Sequence, residues 1–264
     1  MAEVLAVRDV WKRFRIPHER RKTVLDHIAG AASSIGGARY NYEEFWALRE
    51  VSLVVRSRES VGLIGPNGSG KSTLLKLIAH VMKPDRGEIM VNGSLVPVLE
   101  LGIGFNGDLT VRENALIYGV IMGISRAQMR DRLPLILQFA GLERFQDALL
   151  RNLSSGMQVR LAFSIAVETD ADIFLVDEAL SVGDEEFKAK CLDRFREFKN
   201  QGKSIVVVSH DMELINTFCE SALYLQNGTE SGYGPSEEIT RMYVEASQRP
   251  EHSNLLKPPT TNSL

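Results

Sequence analysis

The sequence predicts an α/β fold, with a parallel core sheet, an antiparallel β flank and an inserted α-helical subdomain. Three observations predict it. First, Val61-Gly62-Leu63-Ile64 is a short buried strand that feeds a glycine-rich loop and then an apolar helix, Thr73-Leu74-Leu75-Lys76-Leu77-Ile78. Second, two further apolar runs lack polar alternation, Ile173-Phe174-Leu175-Val176 and Ile205-Val206-Val207-Val208, and read as buried strands. They end in Asp177-Glu178 and Ser209-His210. Third, the stretch from Thr110 changes to helical spacing with its own start signals.

Composition bounds the class. The chain has 264 residues, 44% hydrophobic and 25% charged, as in ordinary globular proteins. That length allows one large domain or two small ones, with a real core. A net charge of -3 implies no general nucleic-acid-binding surface. Cys191 and Cys219 lie far apart on segments read as buried, so they are expected to be reduced structural thiols. Met1-Ala2-Glu3-Val4 has neither the basic start nor the apolar run of a secretion signal. No apolar run approaches the roughly 20 residues of a membrane span, so any membrane role is expected to need a partner.

Taken in order, Val4–Val7 and Val10–Phe14 are strands, and Ala47-Leu48 with Val51–Val55 resume strand character. Between them the pattern breaks from Arg15 to about Phe45, a loop of functional length carrying the basic cluster Arg15, Arg20, Arg21 and Lys22. That cluster reads as a solvated face or as a contact for acidic head groups or a partner. Lys83–Gly87 is a turn, and Gly87–Gly93 is a strand ending in another. These N-terminal strands are expected to form the antiparallel flank. Leu95 to Gly104 is apolar but broken by glycines. Thr110-Val111-Arg112-Glu113 and Ser125-Arg126-Ala127-Gln128 fit capping boxes. The second opens a helix with Met129, Leu133, Ile136, Leu137 and Ala140 on one face, Pro134 inside and Gly141 at its end. The helical insert spans about residues 101–165. Further helices are expected at Val159–Val167 and at Glu186–Asn200, the latter with Phe187, Cys191, Leu192, Phe195 and Phe198 inward. A hairpin turns at Asn227-Gly228, and a last helix opens at Pro235-Ser236 and fades near Ala246. The main domain is therefore 1–246. Residues 247–264, rich in Pro, Asn and Thr, are expected to be a disordered tail.

Gly65-Pro66-Asn67-Gly68-Ser69-Gly70-Lys71-Ser72-Thr73 matches the phosphate-binding loop pattern G-x-x-x-x-G-K-[ST] in its strand–loop–helix setting. Glycines let the backbone N–H groups curl around a phosphate, and the helix N-terminus adds its own. Lys71 is expected to reach the β/γ-phosphates and the Ser72 hydroxyl to ligate Mg²⁺. A strand ending in Asp177-Glu178 near such a loop suits metal binding by Asp177 and polarisation of an attacking water by Glu178. His210 ends a buried strand, where open α/β sheets face their ligands, and suits a γ-phosphate sensor.

Gly65–Thr73, Leu153–Gln158, Ile173–Glu178 and Ser209-His210 resemble, in order, the Walker A, signature, Walker B and switch elements of the ATP-binding cassette (ABC) ATPases, over about residues 4–246. Ser154-Ser155-Gly156-Met157 departs from the usual Ser-Gly-Gly-Gln but keeps the serine and second glycine. The resemblance implies a phosphate-loop NTPase fold, ATP and Mg²⁺ as ligands, and a homodimer sandwiching two ATP molecules. Ser154 and Gly156 would then bind the γ-phosphate held by the other copy. Glu100 stands where most members carry a glutamine that reaches the metal. An adenine-stacking aromatic is expected after the first strand. Phe14 fits best by position, with Trp46, Tyr40 and Tyr42 as rivals.

Val98–Phe105, the Leu-Ser-Ser-Gly-Met signature, Ala179–Asp184 and the insert before Phe45-Trp46 resemble the ATPase subunits of bacterial O-antigen, capsule and teichoic acid exporters. That branch implies a lipid-linked polysaccharide as transported substrate and an integral membrane transporter subunit as partner. It also implies a peripheral position on the cytoplasmic face of the inner membrane, and no nucleic acid. An importer ATPase for a small solute, a non-transport ABC ATPase and, from a different class, a phosphate-loop kinase that phosphorylates a small molecule are the alternatives.

Overall fold

The computed structural model describes residues 2–17, 42–99, 101–177 and 184–248. In chain order the elements are β1 (Glu3–Pro17), β2 (Tyr42–Arg56), β3 (Ser60–Ile64), α1 (Lys71–Ile78), β4 (Arg86–Val91), β5 (Leu95–Val98), α2 (Val111–Ile121), α3 (Arg126–Ala140), α4 (Ser155–Ala166), β6 (Ile173–Asp177), α5 (Glu185–Asn200), β7 (Ser204–Val208), α6 (Met212–Phe218), β8 (Ser221–Gln226), β9 (Thr229–Pro235) and α7 (Ser236–Gln248). The tail from 249, and residues 18–41 with Tyr40, Arg20, Arg21 and Lys22, lie outside the described residues.

The flank is a three-stranded antiparallel sheet of order β2-β1-β4. β1 runs through Arg8-Asp9, where the sequence pattern breaks. Asp9 has φ 48° and the pairing shifts between Val7 and Val10, so the interruption is a bulge rather than a strand end. The break expected from Arg15 to Phe45 is also narrower. Residues Arg13 to Pro17 pair with Trp46 to Tyr42 and lengthen both strands.

The core sheet has six strands in the order β5-β6-β7-β3-β8-β9, parallel except for the β8–β9 hairpin. Every residue of β3 and β7 is buried, which is why these strands read as unbroken apolar runs. β5 is a further core strand inside the stretch read as merely apolar. It is short, carries Pro97 and sits at the sheet edge, where proline is tolerated.

Alternation along the strands gives the sheet two faces. Val61, Leu63, Ile173, Leu175, Val206, Val208, Leu223 and Leu225 pack toward the flank, with α1 buried between through Leu74, Leu75, Leu77 and Ile78. Phe174, Val176, Ile205, Val207, Ala222 and Tyr224 face the other way, onto α4, α5, α6 and α7. That second core is aromatic. Phe195 is fully buried, with ring centroids of Phe163, Phe174, Phe198 and Phe218 at 5.9, 6.3, 5.7 and 6.4 Å. Cys191 and Cys219 are free and buried there, and burial pushes both thiols up to about 12.

Both capping boxes form: Thr110 Oγ1 accepts from Glu113 N and Ser125 Oγ from Gln128 N, and each N3 side chain returns to the cap backbone. Gly141 closes α3 in the left-handed region. These helices share a third core, with Val111, Ala115, Met129, Leu133, Ile136 and Leu137 inside. α4 starts four residues before the helix expected at Val159, because Ser154 is its cap. It has two apolar sides: Leu161, Ala162 and Ile165 join the helical core, whereas Phe163 and Ala166 join the sheet.

Phe195→Ala is expected to cost about 3–5 kcal/mol, the range for losing a buried phenylalanine. Urea denaturation measures it; a loss under about 1 kcal/mol would show that the aromatic core collapses around the gap.

Candidate functional site

Strands β6, β7 and β3 are neighbours and parallel, so their C-terminal ends share one edge. Val208 is in register with both Leu63 and Asp177. The Gly65 loop, Asp177 and Ser209-His210 therefore emerge side by side, where open parallel sheets bind ligands.

The loop between β3 and α1 is shaped by close contacts. Gly65 has φ 146°, and a Cβ there would lie 2.1 Å from the Leu225 carbonyl oxygen. Gly70 has φ 108°, and a Cβ would meet Leu48 Cδ2 at 2.6 Å and the Ala47 carbonyl at 2.8 Å. Both positions require glycine. Gly70 is the N-cap of α1 and no side chain caps the helix, so its first N–H groups stay available to an anion. The Lys71 ammonium is buried and donates to the Gly65 carbonyl at 2.8 Å and the Pro66 carbonyl at 3.0 Å. Pro66, Asn67 and Gly68 are partly or fully exposed at the loop tip, and Ser69 is buried beneath them. Ser72 is exposed and Thr73 half-buried in the first turn of α1.

The loop is braced from behind. Gly228 N donates to the Ser69 carbonyl at 3.0 Å, and the Gly228 carbonyl accepts from Arg49 N at 2.7 Å. The β8–β9 turn thus ties the loop to β2. The sequence marks Asn227-Gly228 as a hairpin turn, but no local signal shows that it supports a loop more than 150 residues earlier in the chain.

Asp177 is half-buried at the end of β6, and His210 is exposed after β7. The Asp211 carboxylate caps α6, accepting from Glu213 N and Leu214 N, while Asp211 N donates to Ser209 Oγ. These bonds fix the chain on both sides of His210. Glu178 and Glu100 lie outside the described residues. Among the described residues no three His, Cys, Asp or Glu side chains are grouped to hold a metal. Ser72 and Asp177 carry hard oxygen donors, the donor chemistry that suits Mg²⁺ with water and phosphate completing its shell.

Ser154 Oγ accepts from Met157 N at 3.3 Å, and Ser154, Ser155 and Gly156 are exposed at the start of α4. Among the described residues a Cβ on Gly156 would meet only Ser154 Oγ, at 4.0 Å, so this helix end is open there. Gln158 is turned back, donating to the carbonyls of Leu150 and Leu153.

Phe14 is half-buried, pairs across the flank with Phe45 and has the Lys12 ammonium 5.8 Å from its ring centroid. Lys12 also donates to the Lys83 carbonyl just beyond α1, which sets this side of β1 toward that helix. Trp46 is engaged elsewhere, edge-on to Trp11 at 5.4 Å and beneath the Arg13 guanidinium. Tyr42 is 52% exposed near the end of the described strand.

Gly70→Ala is expected to weaken binding of a fluorescent ATP analogue by at least about tenfold, or 1.4 kcal/mol. Affinity within roughly twofold of wild type would show that the loop has room for a Cβ.

A family model described as ABC transporter matches residues 48–181. The chain is 44% identical over 200 residues to the O-antigen export system ATP-binding protein RfbB of Myxococcus xanthus, covering 76% of this chain and 46% of that protein. It is 35% identical over 249 residues to an O-antigen export system ATP-binding protein RfbB of Klebsiella pneumoniae, covering 93% of this chain and 99% of that one. It thus spans about half of the first relative and nearly all of the second. A solved ATP-binding subunit of an ABC transporter superimposes with a TM-score of 0.70 at 26% identity, covering 91% of this chain and 93% of that one. With the phosphate loop, the strand-end acid and the open helix start in their expected order, the chain belongs to the ABC transporter family, and these relatives are that family's O-antigen export ATP-binding proteins.

Proposed function

We propose that the chain is the ATP-hydrolysing subunit of an exporter of a lipid-linked polysaccharide. The observation that carries hydrolysis is the convergence of the Gly65–Thr73 loop, Asp177 and His210 at one sheet edge. The export reading rests on the two RfbB relatives.

The chemistry follows from the residues. The loop backbone and the α1 N-terminus receive the β- and γ-phosphates of ATP, and Lys71 supplies a point charge to them. Ser72, Asp177 and Glu100 would hold Mg²⁺, which when bound would neutralise phosphate charge. Glu178 accepts a proton from the attacking water as it adds to the γ-phosphorus. His210 donates to a γ-phosphate oxygen, and Phe14 lies against adenine. The ADP oxygen leaves in line. In a homodimer, Ser154 and Gly156 of one copy present the free N–H groups of α4 to the γ-phosphate on the other copy.

This chain offers the membrane subunit an apolar surface. Ile103, Ile117, Val120 and Ile121 are 63%, 46%, 42% and 63% exposed. Leu116, Ile117, Val120 and Ile121 line a groove of about 530 Å³ with Arg126 and Arg130 at its margin. An amphipathic cytoplasmic helix of the membrane subunit, apolar on one side with acidic flanks, is the occupant this chemistry fits. Among the described residues no helix is long and apolar enough to cross a membrane. The cassette would therefore sit on the cytoplasmic face of the inner membrane through that contact.

Lys71→Ala is expected to abolish phosphate release from ATP while the protein still copurifies with its polytopic partner. Near-normal turnover would remove Lys71 from the mechanism. Phosphorylation of a small molecule in place of phosphate release would point to a kinase instead.

A further inference from the structure

On the reading above, phosphates meet the start of α1 and adenine meets Phe14 on β1. These places lie on different elements, so contacts between the elements have to set their separation. The turn between α1 and β4 supplies them. β4 starts at Arg86, whose partner Trp11 is the last residue of β1 in register with it. Asp85 adds one bond to that ladder, its N–H donating to the Trp11 carbonyl at 2.9 Å. The residue before it is Pro84, which has no N–H to carry the ladder on. The Asp85 carboxylate continues it instead, with Oδ2 accepting from Arg13 N at 2.7 Å. The same oxygen lies 3.4 Å from the Lys12 ammonium, which donates to the Lys83 carbonyl at 2.8 Å. On its other edge β1 is irregular at this point. Its pairing with β2 shifts on both sides of Lys12 and resumes at Arg13 and Trp46. Phe14 is the next residue.

We propose that Asp85 is a positioning residue for the nucleobase: its carboxylate, by holding the Arg13 N–H, sets β1 so that the Phe14 ring meets adenine at the right distance from the phosphate loop. This rests on the reading of Phe14 as the adenine-stacking ring. The Arg13 N–H also holds the Asp85 carboxyl below its usual range, so the acceptor is charged at neutral pH. The fold has little need of the bond for stability. The Asp85 side chain is 34% exposed, so water can serve the Arg13 N–H and the Lys12 ammonium once the carboxylate is gone. What is lost is direction. Stacking needs the ring flat against the base, and a strand released along one edge lets the ring swing.

The test uses the full chain and displacement of a ribose-labelled ADP by unlabelled ADP or by pyrophosphate, which has the phosphates without the base. Asp85→Ala and Phe14→Ala are each expected to weaken ADP at least about fivefold while pyrophosphate stays within roughly twofold of wild type. The double variant should bind ADP no more weakly than the weaker single, because both act through one ring. Asp85→Asn keeps an oxygen for the Arg13 N–H and should hold ADP affinity within roughly twofold. Melting temperatures should stay within a few degrees of wild type. Unchanged ADP affinity in Asp85→Ala beside a loss in Phe14→Ala overturns the proposal. So do equal losses for ADP and pyrophosphate, or additive losses in the double variant. Unchanged ADP affinity in Phe14→Ala instead overturns the adenine reading on which it rests.

Discussion

The structure depends on a constraint imposed on the phosphate loop from outside the loop. A chain that curls its N–H groups inward must turn its carbonyls outward, and those need partners. The Ser69 carbonyl finds one in Gly228 N, and the Gly228 carbonyl in turn takes Arg49 N. Leu225, Ala47 and Leu48 crowd the two glycines so closely that only a bare backbone fits. The loop is therefore held by β2 and by the β8–β9 hairpin, elements at opposite ends of the chain. Each such hydrogen bond contributes only about 1 kcal/mol net, but together they fix a backbone shape that the loop's own residues do not enforce.

From that anchor the remaining architecture follows. The loop is fixed because the flank and core sheets are packed face to face over α1, which buries four large apolar side chains between them. The parallel strands deliver Asp177 and Ser209-His210 to the same edge because their registers are set by residues buried on both faces. The opposite face carries the aromatic core, and α4 shares its apolar residues between that core and the helical one. A helix divided in this way packs the helical layer against the sheet.

The sequence announces whatever is local. Gly65 to Thr73 is legible because loop shape, anion binding and helix start all act within nine consecutive residues. Thr110, Ser125 and Gly141 are legible because caps bond only across one turn. Elements that depend on distant partners are not legible. β5 exists because β6 offers an edge, and its four residues with a proline carry no strand signal of their own. β1 looks like two strands because the bulge at Asp9 resets the alternation, which only pairing with β2 and β4 restores. Gly228 behind Ser69, and Asp85 beside Arg13, are contacts between remote segments that no spacing rule contains. The contacts of Trp46 with Trp11 and Arg13 likewise join positions that the sequence does not pair by any spacing rule.

The central claim is that each ATP is held between the phosphate loop of one copy and the α4 start of another. The most direct measurement is the ATPase rate of an equal mixture of Lys71→Ala and Gly156→Asp subunits. The first loses the charge that meets the phosphates; the second places a carboxylate at the helix start that should receive them. A mixed dimer then contains one site built from two intact halves and one site broken on both sides. The account predicts activity in the mixture well above the sum of the two variants assayed alone. Full activity of Gly156→Asp by itself, or a mixture no more active than its inactive parts, would contradict it.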